Sequence, residues 1–131
     1  YLAVVHGRPE SPEGTLRDLL ARDKARRMTF VAEAPGKGVQ EAVLSYRVLE
    51  YANGMSLVRV RLHTGRTHQI RVHMNFIGHP LPGDFLYCPD NTFIQRQALH
   101  SYRLSFAHPM TGEALSFTSP LPEDMRHAFY D

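Results

Sequence analysis

A stretch of cationic and polar side chains, RLHTGRTHQIRVHMNFIGHPLPGD, runs from Arg61 to Asp84. It holds three arginines and four histidines, and Asp84 is its first acidic residue. No Asp or Glu occurs between Tyr51 and Gly83, whereas acids lie on both sides of that window. Arginine forms a planar fork that matches phosphate and stacks on bases. The stretch therefore has the chemistry of a surface that binds a polyanion such as nucleic acid, and a solvated charged face is the alternative.

Arg71 is the cation that this pattern constrains most. Residues 67–78 predict a helix of about three turns, with Thr67 as its N-cap and Gly78 as its C-terminal stop. The apolar side chains of this helix form two stripes, Ile70 with Met74 and Ile77, and Val72 with Phe76. Because such a helix is covered on more than one side, we expect Arg71 to be at least half buried. A buried guanidinium needs an anionic partner, so Arg71 belongs either to a structural ion pair or to a functional site.

Other polar residues of the stretch have more than one possible role. Arg66 precedes the predicted helix, where free backbone N–H groups favour an anion, so it suits a phosphate contact or is a solvated turn residue. Asp84 follows a Pro-Gly turn and is a turn residue, an arginine partner or a catalytic acid. His63, His68 and His73 recur every five residues. Neither a helix nor a strand brings that spacing onto one face, so we predict no metal site.

The elements that position these residues are mainly strands. In residues 56–63, Val58 and Val60 alternate with Arg59 and Arg61, and Leu57 shares the arginine face. Asn53-Gly54 predicts a hairpin that joins this strand to residues 42–52. Further strands are expected at residues 1–6 and 27–34, a second hairpin over 98–119, and a final helix at 122–130. Residues 15–23 fit either a helix or a strand.

Length and composition fit one globular domain over residues 1–131, of the α+β class with a mostly antiparallel mixed sheet and a few flanking helices. The chain is 43% hydrophobic and 21% charged, which is ordinary for a folded protein. No apolar run approaches the roughly 20 residues that span a bilayer. The single cysteine, Cys88, excludes an internal disulfide and suits a reducing, cytoplasmic compartment. Because the chain begins at Tyr1 inside a predicted strand, we expect it to be a fragment of a longer protein.

These segments together resemble the RluA-type family of RNA pseudouridine synthases. TGRTHQIRVHMNFIGHPLPGD carries most of the resemblance, and YLAVVHG, EAVLSYRVLE and ALHSYRLSFAHPMTGE are similar to the family's tyrosine strand, central strand and closing hairpin. The resemblance implies the C-terminal portion of a catalytic domain that isomerises uridine to pseudouridine in rRNA or tRNA, with no cofactor and no metal. The family's nucleophile is an aspartate in an arginine-leucine-aspartate motif upstream of the tyrosine strand. This chain has no such motif, so we expect it to be inactive alone.

The resemblance implies three catalytic positions. Tyr1 would stack on the flipped uracil and act on the carbon 5 proton. Arg71 would pair with the nucleophilic aspartate that the upstream segment supplies, holding it ionised and aimed. Leu99 would form an apolar wall of the uracil pocket.

Five further residues are expected to bind RNA. Arg59 and Arg61, on the exposed face of their strand, would contact phosphates. Arg66, His68 and Gln69 would support the helix entry and the RNA backbone. A non-catalytic RNA-binding module is the alternative function, and a histidine-based phosphoesterase is a weaker one. Self-association is also expected of the fragment, because a missing half would leave sheet edges and apolar surface open.

Overall fold

The computed structural model describes residues 1–84, 86–88, 94, 96–107 and 109–130, without the side chains of residues 104–107, 127, 128 and 130. The strands of this part of the chain are β1 (Leu2–His6), β2 (Glu13–Asp23), β3 (Met28–Val31), β4 (Val39–Ala52), β5 (Met55–Leu62), β6 (Leu99–His100), β7 (Arg103–Ala107) and β8 (Ala114–Thr118). The helices are α1 (Gln69–Phe76) and α2 (Glu123–Tyr130). The predicted α+β class is confirmed. None of the helices described is long and apolar enough to cross a membrane.

Six strands form one antiparallel sheet in the order β3-β2-β4-β5-β1-β6, and β7 pairs with β8 in a separate hairpin. Because β1 pairs with both β5 and β6, the first strand of the chain lies inside the sheet. The backbone of Tyr1 is held as well. Val60 N–H donates to the Tyr1 carbonyl at 2.8 Å, and the Tyr1 amino group donates to the Val60 carbonyl at 3.0 Å. Tyr1 is therefore kept in register by the sheet.

Two turn and strand predictions are settled by the pairing. Asn53 and Gly54 have φ values of 56° and 75°, and two positive values are what a type I′ hairpin turn requires, so the predicted hairpin is confirmed. Residues 15–23, which fitted either a helix or a strand, belong to β2. This strand pairs with β4 along one edge and with β3 along the other. Pairing on both edges outweighs the weak local preference of the segment.

Both faces of the sheet are covered near its centre. One apolar cluster lies between the sheet and α1, and its residues are Ala3, Val5, Leu44, Tyr46, Val58, Val60, Ile70, Met74 and Leu81. A second lies on the face of α2, and its residues are Val4, Met55, Leu57, Ile94, Ala98, Met125 and Phe129. Leu57 is therefore buried, and the expectation that it shares a solvent face with the arginines is wrong. Arg59 and Arg61 stay exposed farther along β5.

Helix α1 is shorter than predicted. It begins after His68, which is in the left-handed region with φ 54°, and no side chain caps it, so the prediction that Thr67 is the N-cap is wrong. Its C-terminal end follows the prediction. Gly78 has φ 88° and donates its N–H to the Asn75 carbonyl, while His79 N–H donates to the Met74 carbonyl. These two bonds form a Schellman motif, for which glycine at this position is preferred.

Gly83 closes the turn that follows α1. It has φ 75°, and a Cβ on it would overlap the carbonyl oxygen of Arg96 and lie 2.7 Å from the carbonyl oxygen of Ile94. The next residue is Asp84, so any shift of this backbone displaces a buried carboxylate. The rest of the segment that was predicted to be irregular up to residue 95 lies partly outside the described residues.

We predict that Gly83→Ala destabilises the protein by about 3–5 kcal/mol, because left-handed strain and overpacking add together. Gly38→Ala is the matched control, since Gly38 has φ 77° but a Cβ added to it would meet no atom within 4 Å. It should cost only the conformational strain of about 1–2 kcal/mol. The free energy of unfolding from urea titration measures both, and equal losses would show that the close approach at Gly83 is unimportant.

Candidate functional site

Arg71 and Asp84 form a buried, two-pronged ion pair. Arg71 is 7% exposed and Asp84 is 0% exposed. The Nε of Arg71 donates to Oδ2 of Asp84 at 2.8 Å, and Nη2 donates to Oδ1 at 2.7 Å. The prediction that Arg71 is buried and has an anionic partner is confirmed. The partner seen here, Asp84, lies inside the chain. The pairing of Arg71 with an aspartate from an upstream segment stays a prediction.

The carboxylate of Asp84 is held by backbone groups as well. Its Oδ1 accepts the N–H groups of Leu86 and Tyr87 at 3.1 and 3.2 Å. The Asp84 carbonyl accepts Cys88 N–H at 2.8 Å. A buried carboxylate is tolerated only when donors replace its lost water, and these donors come from a tight turn. Asp84 is thus both an arginine partner and a turn residue, and the turn fixes the direction of the Arg71 side chain.

Tyr87 links this ion pair to the start of α1. The Arg71 Cζ lies 5.3 Å from the centroid of the Tyr87 ring. The Tyr87 hydroxyl accepts Thr29 N–H at 2.7 Å and lies 3.1 Å from Nδ1 of His68. Burial, assisted by the nearby cations Arg71 and Arg22, lowers the pKa of His68 below its ordinary value. A neutral His68 can accept a hydrogen bond from the Tyr87 hydroxyl, so this histidine supports the site.

Gln69 closes the entry of the helix. Its side chain is 2% exposed. Its Oε1 accepts Arg66 N–H at 2.9 Å and the Thr64 hydroxyl at 2.8 Å, and its Nε2 donates to the Val43 carbonyl at 3.0 Å. These contacts place Gln69 as a support of the helix entry, and its contact with RNA stays a prediction. Arg66 is partly exposed, and its Nε donates to the Glu41 carbonyl at 2.9 Å.

A cationic groove of about 830 Å³ lies along β4 and β5, next to the β7–β8 hairpin. Its charged and aromatic lining consists of Tyr1, Glu13, Tyr46, Arg47, Arg59, Arg61, Tyr102 and Arg103. Arg47 and Arg59 are directly opposite each other in the strand register. Because like charges at opposed positions repel, a bound anion would stabilise this surface. We call it the arginine groove.

The three predicted catalytic residues share one side of the sheet. Leu99 is opposite Ala3, and it packs against the apolar cluster under α1. Tyr1 is opposite Val60, so strand alternation places it on that same side. Helix α1, which carries Arg71, packs on this side too. Tyr1 is 40% exposed and also borders the arginine groove, so it stands where the two faces of the sheet meet.

His73 is a fully buried histidine of α1. It is 0% exposed, and neither ring nitrogen has a hydrogen-bond partner among the described residues. Its Nε2 lies 3.7 Å from Oδ2 of Asp18. Burial lowers the pKa of His73, and Asp18 opposes that shift. The ring is therefore neutral in the folded protein. Over the described ranges, no group of three or more His, Cys, Asp or Glu residues could hold a metal ion.

Two features of the surface were missed in the sequence. Tyr87 lies in an irregular segment, and no local pattern signals its contacts with Arg71 and His68. The run from Arg22 to Arg27, RDKARR, holds four cations in six positions. This positive charge is visible in the sequence. Over a longer window, however, nearby acidic residues lower the net charge.

We predict that Asp84→Asn destabilises the protein by about 3–5 kcal/mol, because it removes the buried negative charge that pairs with Arg71. Arg71→Met combined with Asp84→Leu should lose less than the sum of the two single changes. The exposed pair Arg17–Glu41, at 2.8 Å, is the control and should contribute about 0–1 kcal/mol. Denaturant-based double-mutant cycles measure both pairs, and a coupling no larger at Arg71–Asp84 than at the surface pair would contradict the assignment.

We also predict that the protein loses stability as the pH falls from 7 to 5. The unfolded chain takes up a proton on His73 near the ordinary pKa of about 6.5, and the folded protein does not, because burial lowers the pKa of His73. His73→Met should make the pH dependence shallower. Asp18→Asn should make it steeper, since Asp18 favours the protonated ring. Unfolding free energies across this pH range test it, and an unchanged slope in His73→Met would refute it.

Comparison with known proteins identifies the family to which the chain is similar. A family model described as RNA pseudouridylate synthase matches residues 1–76. The Bacillus subtilis protein named uncharacterized RNA pseudouridine synthase YlyB is 48% identical over 126 residues, which cover 95% of this chain and 41% of that protein. The ribosomal large subunit pseudouridine synthase D of Zymomonas mobilis is 39% identical over 138 residues, covering 98% of this chain and 43% of that enzyme.

The fold agrees with these relatives. The solved structure of human RNA pseudouridylate synthase domain containing 1 superposes with a TM-score of 0.78 at 25% identity, covering 91% of this chain and 52% of that one. The chain thus spans about half the length, or less, of the proteins that it matches. On the match over residues 1–76 and on these relatives, the chain belongs to the RNA pseudouridylate synthase family.

Proposed function

We propose that the protein containing this chain isomerises uridine to pseudouridine in RNA. The reaction detaches uracil from its ribose, turns it and rejoins it through carbon 5. The observation that carries the proposal is the position of Arg71. It lies in the segment with the strongest family resemblance, is buried and locked by Asp84, and sits on the side of the sheet that carries Tyr1.

Arg71 is proposed to position a nucleophilic aspartate from the upstream part of the protein. Asp84 occupies the edge of the guanidinium formed by Nε and Nη2. The nucleophilic carboxylate would lie beside this guanidinium. A fixed cation lowers the cost of keeping the nucleophile ionised. Because the turn at Asp84 fixes the guanidinium, the nucleophile meets a preorganised charge.

Tyr1 and Leu99 are proposed to receive the flipped uracil. Stacking of a base on an aromatic ring contributes about 1–3 kcal/mol, which offsets part of the few kcal/mol that flipping costs. The exposed position of Tyr1 at the margin of the sheet suits a ring that meets a base entering from solvent. Leu99 would supply apolar surface on the same side of the sheet.

The arginine groove is proposed to bind the RNA backbone. Arg59 and Arg61 are exposed there, and Arg47 and Arg103 add charge. Arg66 would add a phosphate contact at the helix entry. The substrate is proposed to be rRNA or tRNA, with rRNA supported by the name of the Zymomonas mobilis relative, and the cytoplasm is the proposed place of action.

A non-catalytic RNA-binding module is the second candidate. The observation in its favour is the arginine groove, whose cations can bind phosphate without a nucleophile. Self-association of the isolated chain stays a prediction, which the edge position of β3 and β6 supports.

The test measures tritium release from RNA labelled at carbon 5 of uridine, using the full-length protein and rRNA transcripts. We expect release by the full-length protein and none by the isolated 131-residue chain. Tyr1→Ala should lower the turnover about 5- to 150-fold through lost stacking. Tyr1→Phe keeps the ring and isolates the part played by the hydroxyl.

Two outcomes would overturn parts of the proposal. Tritium release by the isolated chain would show that no upstream nucleophile is needed. RNA binding by the full-length protein without any release, from a panel of rRNA and tRNA transcripts, would favour the non-catalytic module.

A further inference from the structure

The turn between β2 and β3 carries a concentrated positive charge. Arg22, Lys24, Arg26 and Arg27 are all exposed, and the only acid among residues 22–27 is Asp23. We call these four cations the basic hairpin tip. They lie outside the acid-free window between Tyr51 and Gly83, and none of them lines the arginine groove.

The cations of the tip are presented on an ordered turn. Oδ1 of Asp23 accepts the N–H groups of Ala25 and Arg26 at 3.1 and 3.2 Å, so this carboxylate is engaged by the backbone. Arg27 is held in the left-handed region with φ 55°. An ordered turn fixes the backbone positions of the four cations, so little backbone entropy is lost when a ligand binds them.

The charges of the tip are largely unneutralised. The Nε of Arg26 lies 3.8 Å from Asp23, but its side chain is 80% exposed. Within the described ranges, no carboxylate lies within 4 Å of Arg22, Lys24 or Arg27. By contrast, Arg17 on the same strand is paired with Glu41 at 2.8 Å. Unpaired cations on an ordered turn are typical of a surface that binds an anion.

The tip is far from the arginine groove. Strand β2 runs from Glu13, which lines the groove, to Asp23 in the tip. Ten steps along a strand span about 33 Å, several times the Debye length of about 8 Å at physiological salt. The two cationic surfaces therefore act independently, and one phosphate cannot serve both.

The surroundings of the tip favour RNA as the ligand. Arg22 is close enough to His68 to contribute to its pKa shift, so the tip adjoins the helix entry where Arg66 lies. On the neighbouring edge strand, Phe30 is 48% exposed. Arginines beside an exposed aromatic ring suit phosphates and an unpaired base.

We propose that the basic hairpin tip is a second RNA-binding surface, which holds phosphates of the substrate about 33 Å from the arginine groove. The proposal rests on the proposed function, because it takes the ligand to be the RNA that the protein modifies. A substrate that reaches both surfaces must extend well beyond the modified uridine. The tip then contributes to affinity for a folded RNA and leaves the chemistry at the uridine unchanged.

The test compares two variants of the full-length protein that lose the same charge. Lys24→Gln with Arg26→Gln removes two cations from the tip, and Arg8→Gln with Arg126→Gln removes two exposed cations elsewhere. Affinity for a fluorescein-labelled rRNA stem-loop is measured against salt concentration. We expect the tip variant to lower the slope of log K against log salt by about 1.4–1.8, and the control variant to leave it unchanged.

A second measurement needs no variant. Acetic anhydride labels Lys24 in the wild-type protein, and mass spectrometry reads the extent. The bound stem-loop should suppress labelling of Lys24, and about 1 M salt should restore it because phosphate contacts are lost. Unchanged labelling, or equal slopes for the two variants, would overturn the inference.

A failure of the proposed function would give a result that differs from a failure of this inference. In that case the wild-type full-length protein would release no tritium from carbon-5-labelled uridine RNA, whatever the tip does. A tip variant with lowered affinity and a near-normal turnover at saturating RNA supports the inference. A tip variant that lowers turnover at saturating RNA while its affinity is unchanged would refute the binding role.

Discussion

The buried pair of Arg71 and Asp84 is the constraint on which the site depends. Two opposite charges have been taken out of water, and the cost is offset only because their geometry is bidentate and backbone N–H groups complete the shell of the carboxylate. The pair therefore requires a tight turn after α1, and Gly83 permits that turn where no side chain fits. One ionic contact thus ties the helix to the segment that follows it and sets the direction of the guanidinium.

The antiparallel sheet separates two kinds of chemistry. Alternation along β5 sends Val58 and Val60 under α1 and exposes Arg59 and Arg61 on the other face. The side of the sheet with α1 carries the apolar cluster, Leu99 and the buried ion pair, whereas Arg59 and Arg61 of the arginine groove lie on the opposite face. Tyr1 stands at the margin between them.

Local signals predicted some elements well and others poorly. The hairpin at Asn53-Gly54 and the helix end at Gly78 depend on positive φ angles that few residue types adopt, so the residue type alone is informative. The N-cap at Thr67 failed because α1 begins after His68, which is in the left-handed region, and no side chain caps the helix. Leu57 was assigned to solvent because the sequence does not show that α2 folds over that end of β5.

The sequence by itself determined that the chain has an α+β fold, a cationic face and a guanidinium inside the protein in need of an anion. Those conclusions follow from periodicity, charge and the cost of burying an unpaired ion, which are properties of short segments. Only the tertiary structure decided that Asp84 is the partner, that Tyr87 joins Arg71 to His68, and that Gln69 is closed to solvent. Each of these depends on contacts between separate segments, whose geometry is set by packing the whole sheet and is absent from any local pattern.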